Sequence, residues 1–270
     1  TFDADSQTYS IGNVEGSYDL SNLPTGFVPV NAKNWQGASC DENGVLTSFS
    51  ANDITYTYDC GNSNTMSVTL HADSYTNPDD GAVEINETSF PDETFRNYVK
   101  TLAADDSKLS KDELSAVTDI DVANMGISSL KGIEHFTALK KLYCGTNSIT
   151  SLDLSHNTAL TELGCSKNSL SELDVSHNTA LTYLECNDNS LTKLDVSSNT
   201  ALTTLNCSFN DKLSSLNVSG NDKLESLSCQ NCLLAELDLS NNTSLTTLQC
   251  YQNQLIKLNV SNNKALASLF

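Results

Sequence analysis

Six cysteines recur along the second half of the chain: Cys144, Cys165, Cys186, Cys207, Cys229 and Cys250. Thiols spaced twenty-one residues apart, with one step of twenty-two from Cys207 to Cys229, could form disulfides, hold a metal, run redox chemistry or simply pack. No second cysteine column runs beside them as a partner. Successive rungs of a stacked array lie about 4.8 Å apart with side chains in parallel. A disulfide needs Cβ atoms roughly 3.8 Å apart and bond vectors that converge. Zinc needs four thiolates around one point, whereas a ladder is a line. The pair Cys229 and Cys232 in "CQNC" has redox spacing, yet Cys229 belongs to the ladder. Cys232 fills a slot held elsewhere by Asn147, Asn168, Asn189, Asn210 and Asn253. Those asparagines are expected to bond backbone groups at a turn, because buried amides must be satisfied. In the first, imperfect turn the thiol slot is Val122, so the thiol acts as a small hydrophobe. The column reads as a core stripe.

Little else in the sequence supports catalysis or metal binding. The histidines are His71, His135, His156 and His177, and none falls in a Gly-x-Ser-x-Gly, His-Glu-x-x-His or phosphate-cradling pattern. His156 and His177 occupy equivalent positions, but the same column continues as Ser198, Gly220, Asn241 and Asn262, a variable surface slot. A second column, Asp153, Asp174, Asp195, Asn217, Asp238 and Asn259, raises the question of calcium between rungs. Its neutral rungs argue instead for carboxylates bonded to the amides and hydroxyls of their own turns. No catalytic residue, metal or cofactor is therefore expected. Cys40 and Cys60 lie outside the ladder, and two readings stay open: a disulfide between them, worth roughly 3 kcal/mol to a small domain, or a core-facing Cys60 with Cys40 an exposed thiol in a polar turn.

The chain has 270 residues, 34 acidic and 14 basic, for a net charge of −20. That balance argues against nucleic acid or an anionic membrane surface as partner. No apolar run of about 18 residues exists, so no membrane insertion is expected. The opening "TFDADSQTYS" lacks Met and a basic-then-apolar leader, and reads as a mature or trimmed form.

The fold expected is mainly β. Residues 1–82 hold one base, Lys33, and alternate in "VLTSFS", "ITYTYD" and "TMSVTLH", which predicts a small antiparallel β-sandwich-like domain. The turn-rich stretch "HADSYTNPDDGAVEINETSFPDE" reads as a linker. Residues 83–119 then supply linker and a helical N-terminal cap. Phe95, Tyr98, Val99 and Leu102 share one helical face, and Ser110 with Glu113 has capping-box spacing. Residues 120–270 repeat Leu-x-x-Leu-x-Cys-x-x-Asn-x-Leu-x-x-Leu-Asp-(Leu/Val)-Ser-x-Asn-Thr-x, the strand and turn of a leucine-rich repeat. They predict a right-handed solenoid with one parallel strand per coil.

The units "LTELGCSKNSLSELDVSHNTA" and "LTYLECNDNSLTKLDVSSNTA" resemble the nested bacterial leucine-rich repeat of the internalin J-like, cysteine-ladder kind. The phrase "NETSFPDETFRNYV" is similar to the caps that precede such arrays. Departures are an extra residue in "NDKLSSL", Cys232 for Asn, and Asn217 and Asn259 for Asp. The resemblance implies a secreted or cell-surface bacterial protein, adhesin-like, that binds other macromolecules. It says nothing about residues 1–82.

Residues alternating with the inward Leu and Cys should face outward on the concave side of the sheet. The ligand-binding candidates there are Lys141, Tyr143, Glu162, Lys167, Tyr183, Glu185, Asp188, Asn206, Phe209, Gln230, Gln249 and Tyr251. Aromatic rings among small polar residues give rigid contact area with adaptable hydrogen bonding. A protein ligand, host or bacterial, is the leading expectation. A glycan, bound as part of a larger polysaccharide-acting protein, is the alternative.

Overall fold

The computed structural model describes residues 6–23, 32–47, 53–61, 64–76, 81–104 and 107–270. The chain divides into two compact units, Thr1–Ala82 and Val83–Phe270.

The first unit holds strands β1 (Ser6–Glu15), β2 (Tyr18–Asp19), β3 (Ala32–Gln36), β4 (Ser39–Cys40), β5 (Val45–Thr47), β6 (Asp53–Gly61) and β7 (Asn64–Thr76). They form a four-stranded sheet ordered β1-β7-β6-β3 and a three-stranded sheet ordered β2-β5-β4. Period-two burial appears where the sequence alternates: Ile54 and Tyr56 on β6, and Val68, Leu70 and Ala72 on β7, are buried. Leu46 from the small sheet joins the same core, and Trp35 stacks on Tyr56 with ring centroids 4.2 Å apart.

Three expectations need correction here. The sheets are not wholly antiparallel, because β1 runs parallel to β7; a crossover rather than a hairpin brings the first strand back to that edge. Residues 71–76, assigned to a linker, belong to β7. The Cys40 to Cys60 bridge is not formed at Cys40, which is a free thiol with Sγ 3.5 Å from the Asp41 carbonyl. Cys40 ends β4 and Cys60 is the last residue but one of β6, in a different sheet. The Cys60 side chain lies outside the described residues.

The second unit begins with β8 (Val83–Glu84), paired antiparallel with β9 (Lys108–Leu109) around helix α1 (Glu93–Lys100). Asp92 caps α1 by accepting from Phe95 N at 3.0 Å. Its other oxygen accepts from Ser128 N at 2.8 Å and Ser128 Oγ at 2.7 Å, which ties the helix to the first coil. Burial opposes ionisation of Asp92, and the bonds from Phe95, Ser128 and Ser129 outweigh it, so its pKa falls. Phe95 and Val99 are buried, with Tyr98 and Leu102 packed beside them. Helix α2 (Lys111–Ala116) starts on a capping box between Ser110 and Glu113.

The array follows as β10 (Asp119–Asp121), β11 (Lys141–Tyr143), β12 (Glu162–Gly164), β13 (Tyr183–Glu185), β14 (Lys193–Asp195), β15 (Thr204–Asn206), β16 (Ser215–Asn217), β17 (Ser226–Ser228), β18 (Thr247–Gln249) and β19 (Ser268–Leu269). Eight of these form one parallel sheet, ordered β10-β11-β12-β13-β15-β17-β18-β19. The register is one coil per step, Leu142 opposite Leu163 opposite Leu184. The pair β14 and β16 makes a second small parallel sheet. Cys144, Cys165, Cys186, Cys207 and Cys229 are fully buried, Cys250 nearly so, and all carry free thiols. Burial pushes the thiols of Cys144 and Cys186 up to about 12.

Two asparagine columns lace the coils together. In the first, Asn168 donates to Cys144 O at 3.0 Å and accepts from Ile149 N at 3.0 Å, both in the preceding coil. Asn189 and Asn210 repeat this, and Asn253 makes the same pair of bonds to Cys229 O and Leu234 N. Asn147 does so onto Val122 O and Ile127 N. Cys232 has no amide to offer, and the extra residue in "NDKLSSL" explains why none is needed. In that longer coil Leu213 N, the counterpart of Leu191 N, bonds Asn210 O within its own turn at 2.9 Å. The two departures in the sequence are thus one local rearrangement. The second column is Asn157, Asn178, Asn199, Asn221, Asn242 and Asn263, each buried and each donating to two carbonyls of the coil before; Asn199, for example, donates to Val175 O and Asn178 O at 2.9 Å.

Candidate functional site

Each three-residue strand of the main sheet buries its middle residue and turns the first and third outward, so Lys141 and Tyr143 flank buried Leu142. The outward residues form two zones. The first runs from β10 to β13 and is ionic. Glu162 sits at its centre, accepting from Lys141 Nζ at 2.9 Å and from the Tyr143 hydroxyl. The hydrogen bond to Glu162 pushes Tyr143 up to about 12, and the same bond, then that from Lys141, lowers Glu162. Tyr143 reaches across the neighbouring strand because position 164 is glycine: a Cβ there would lie 2.9 Å from Tyr143 Cδ1. Tyr183 donates to Glu185 at 3.1 Å, and Asn187 to Asp188 at 2.6 Å. Asp119 and Asp121 extend the zone by one rung that the sequence reading missed. Their signal was the alternation around Ile120 in "DID", obscured because that first turn lacks the cysteine.

The second zone, on β15, β17 and β18, presents Thr204, Asn206, Ser226, Ser228, Thr247 and Gln249, none of them charged. Asn206 donates to Asn187 Oδ1 at 3.2 Å and accepts from Ser208 Oγ at 2.6 Å.

Lys167, Asp188 and Phe209, expected on the face, sit one step past it. They occupy a turn position with left-handed backbone that recurs at Asn124, Thr146, Asn231 and Gln252, with φ between 53° and 58°. Phe209 is 48% exposed there and Tyr251, one residue before Gln252, is 46% exposed. Gln230 is a correction. It was expected outward and is 8% exposed, and its Oε1 has no hydrogen-bond partner. It holds the slot after the ladder cysteine, as buried Ser208 does in the coil before and Tyr251 in the coil after.

A separate groove of about 880 Å³ runs along the small sheet, lined by Asp153, Asp174, Asp195, Glu172, His177 and Lys193 among others. The aspartates cap their own turns there, Asp153 and Asp174 accepting from Ser155 N at 3.0 Å and Ser176 N at 2.9 Å. Those amide bonds lower both carboxyls. The Asp195 rung is bonded to Asn217 at 3.0 Å. His156 and His177 are exposed, each beside its own serine hydroxyl.

No protein-family model matches the chain. A segment of 69 residues is 41% identical to internalin J of Listeria monocytogenes serotype 4b, which is 24% of this chain and 7% of that protein. A solved functional domain of internalin J from Listeria monocytogenes, described as including a cysteine ladder, matches with a TM-score of 0.55 and 36% identity, over 70% of this chain and 47% of that one. Internalin C2 from the same organism, 20% identical, shares the fold alone, with a TM-score of 0.53 over 70% of this chain and 96% of that one. The chain spans less than half of the ladder domain it resembles.

Proposed function

We propose, starting from an array that is internalin-like in both sequence and fold, that this chain is a non-catalytic binding module recognising a protein ligand through the outward face of its eight-stranded sheet. Internalin-like arrays are generally protein-interaction or adhesin modules, and a secreted or bacterial cell-surface setting follows from the same relationship. The observation that carries the reading is the way rings are distributed on the face and along the turn at its edge. Tyr143, Tyr183, Phe209 and Tyr251 stand singly among small polar residues, and among the described residues no two of them stack. Isolated rings spread over many coils suit a broad protein surface, in which a few aromatic anchors carry most of the affinity. A sugar chain would be better served by a continuous ring platform.

The test is binding of the whole chain to parallel arrays of bacterial and mammalian surface proteins and of glycans. A protein hit weakened roughly tenfold by Tyr183→Ala or Tyr251→Ala supports the proposal. Hits confined to glycans sink it.

A further inference from the structure

We propose that the main contact is the triplet Phe209, Gln230 and Tyr251, at the turn edge of this face, and that it takes an uncharged N–H donor, a main-chain amide or a carboxamide, from the partner protein. The inference rests on the protein-binding reading above and decides where on the face the partner anchors. The ionic zone has the more conspicuous residues, but its polar groups are already spent on one another. Lys141 and Tyr143 both bond Glu162, and Tyr183 bonds Glu185. A partner there must break those bonds to make its own, so the net gain is small.

Gln230 is in the opposite condition. It is more than nine-tenths buried, and its Oε1 lacks a donor. Among the described residues the only other buried, unpartnered side-chain acceptors are the oxygens of Asn157, Asn178, Asn199, Asn221, Asn242 and Asn263. Those recur in every coil within the asparagine column; Gln230 occurs once, with two exposed rings, Phe209 and Tyr251, on the neighbouring coils. An orphaned acceptor stores the cost of its desolvation, and a donor that reaches it recovers that cost on binding. Phe209 and Tyr251, the exposed side chains on the neighbouring coils, change rotamer within nanoseconds.

The donor should be uncharged. The outward residues of β15, β17 and β18 carry no carboxylate, and Asp188, beside Phe209 in the turn column, already accepts from Asn187 at 2.6 Å, so an ammonium or guanidinium brought down to Gln230 would be desolvated without a free counter-charge. The flanking rings favour a neutral, partly apolar segment.

The test uses the whole chain and a random-peptide library displayed on phage. Selected peptides should be uncharged, and each should lose roughly tenfold in affinity with Phe209→Ala, Tyr251→Ala and Gln230→Met, while Glu172→Gln, in the separate groove, leaves affinity unchanged. Gln230→Met keeps the volume and removes the orphaned oxygen, so it should melt at the same or a higher temperature while binding worse. A purely structural glutamine would show the reverse. Basic peptides that depend on Glu162 and Glu185 but ignore the triplet overturn the inference and leave the protein-binding reading standing. Failure to recover any face-dependent peptide, with neutral oligosaccharides bound instead, overturns both.

Discussion

The two units solve the same burial problem by different means. In the first, the ten described core side chains come from both sheets and a short turn, with no phrase repeated and each contact made once. In the second, forty-four buried side chains form one continuous core in which Leu, Cys or Val and Asn recur at matching positions. Each coil there meets only its neighbours, so stability is close to a sum of coil and interface contributions. A flaw in the repeat stays local, whereas a flaw in the small unit falls on its whole core.

The largest contrast is expected in thiol chemistry. With Cys144 and Cys186 pushed up to about 12 by burial, only about one thiol in ten thousand is ionised at pH 8, even before access is considered. In the folded chain at that pH, Cys40 should react with a disulfide reagent and the ladder should stay silent until denaturant is added. Fast modification of Cys144 or Cys186 by mass spectrometry would break the packing account. Next come matched core truncations. Leu46→Ala and Leu184→Ala, both at fully buried positions, should each cost about 3 kcal/mol. In urea with unit-specific probes, the former should abolish or sharply lower the transition of the first unit, and the latter should shift the array transition modestly. Equal shifts would remove the distinction drawn between them.

The asparagine column offers a finer test. Asn210→Cys removes the acceptor for Leu191 N and two carbonyl contacts, and should cost about 2 kcal/mol by chemical denaturation. Cys232→Asn should fall within about 0.5 kcal/mol of neutral, because Leu213 N is already bonded within its own turn. A large gain from Cys232→Asn would disprove the coupling to the extra residue. Thr146→Gly should stabilise the array by about 0.5–1 kcal/mol, as glycine relieves a β-branched residue held at φ 57°. The smallest effect is in pH. The carboxyls of Asp153, Asp174 and Asp238 are lowered by the amides of Ser155, Ser176 and Ser240. Their contribution is present above the unfolded value near 4 and is lost as pH falls through the folded values. Melting of the array should drop slightly below about pH 4, and Asp174→Asn should flatten that drop.

The cysteine column and the Asn147 to Asn253 column were legible because their roles follow from residue type at a fixed period: a small hydrophobe and a turn-bonding amide. The Asn157 to Asn263 column was equally visible as a phrase, yet an asparagine beside serine and threonine reads as exposed loop until the next coil supplies carbonyls for it. In the first unit the alternation of "ITYTYD" predicted a strand, but β1 lies parallel to β7, a pairing made across most of that unit's length.

The sequence alone determined the coil: its length, which side chains turn inward, and where the repeat is perturbed. Period and polarity act locally, and the stacking rule copies one coil onto the next. Only the tertiary structure decided what the outward residues do, because that depends on side chains meeting across coils at unlike positions. Tyr143 lies over Gly164 to reach Glu162, and Phe209 accepts a left-handed turn imposed by the ladder. Gln230 is buried beside Ser208 with an acceptor left over. Each outcome is set by the size and bonding of a neighbour about twenty residues away, and no window along the chain contains both partners.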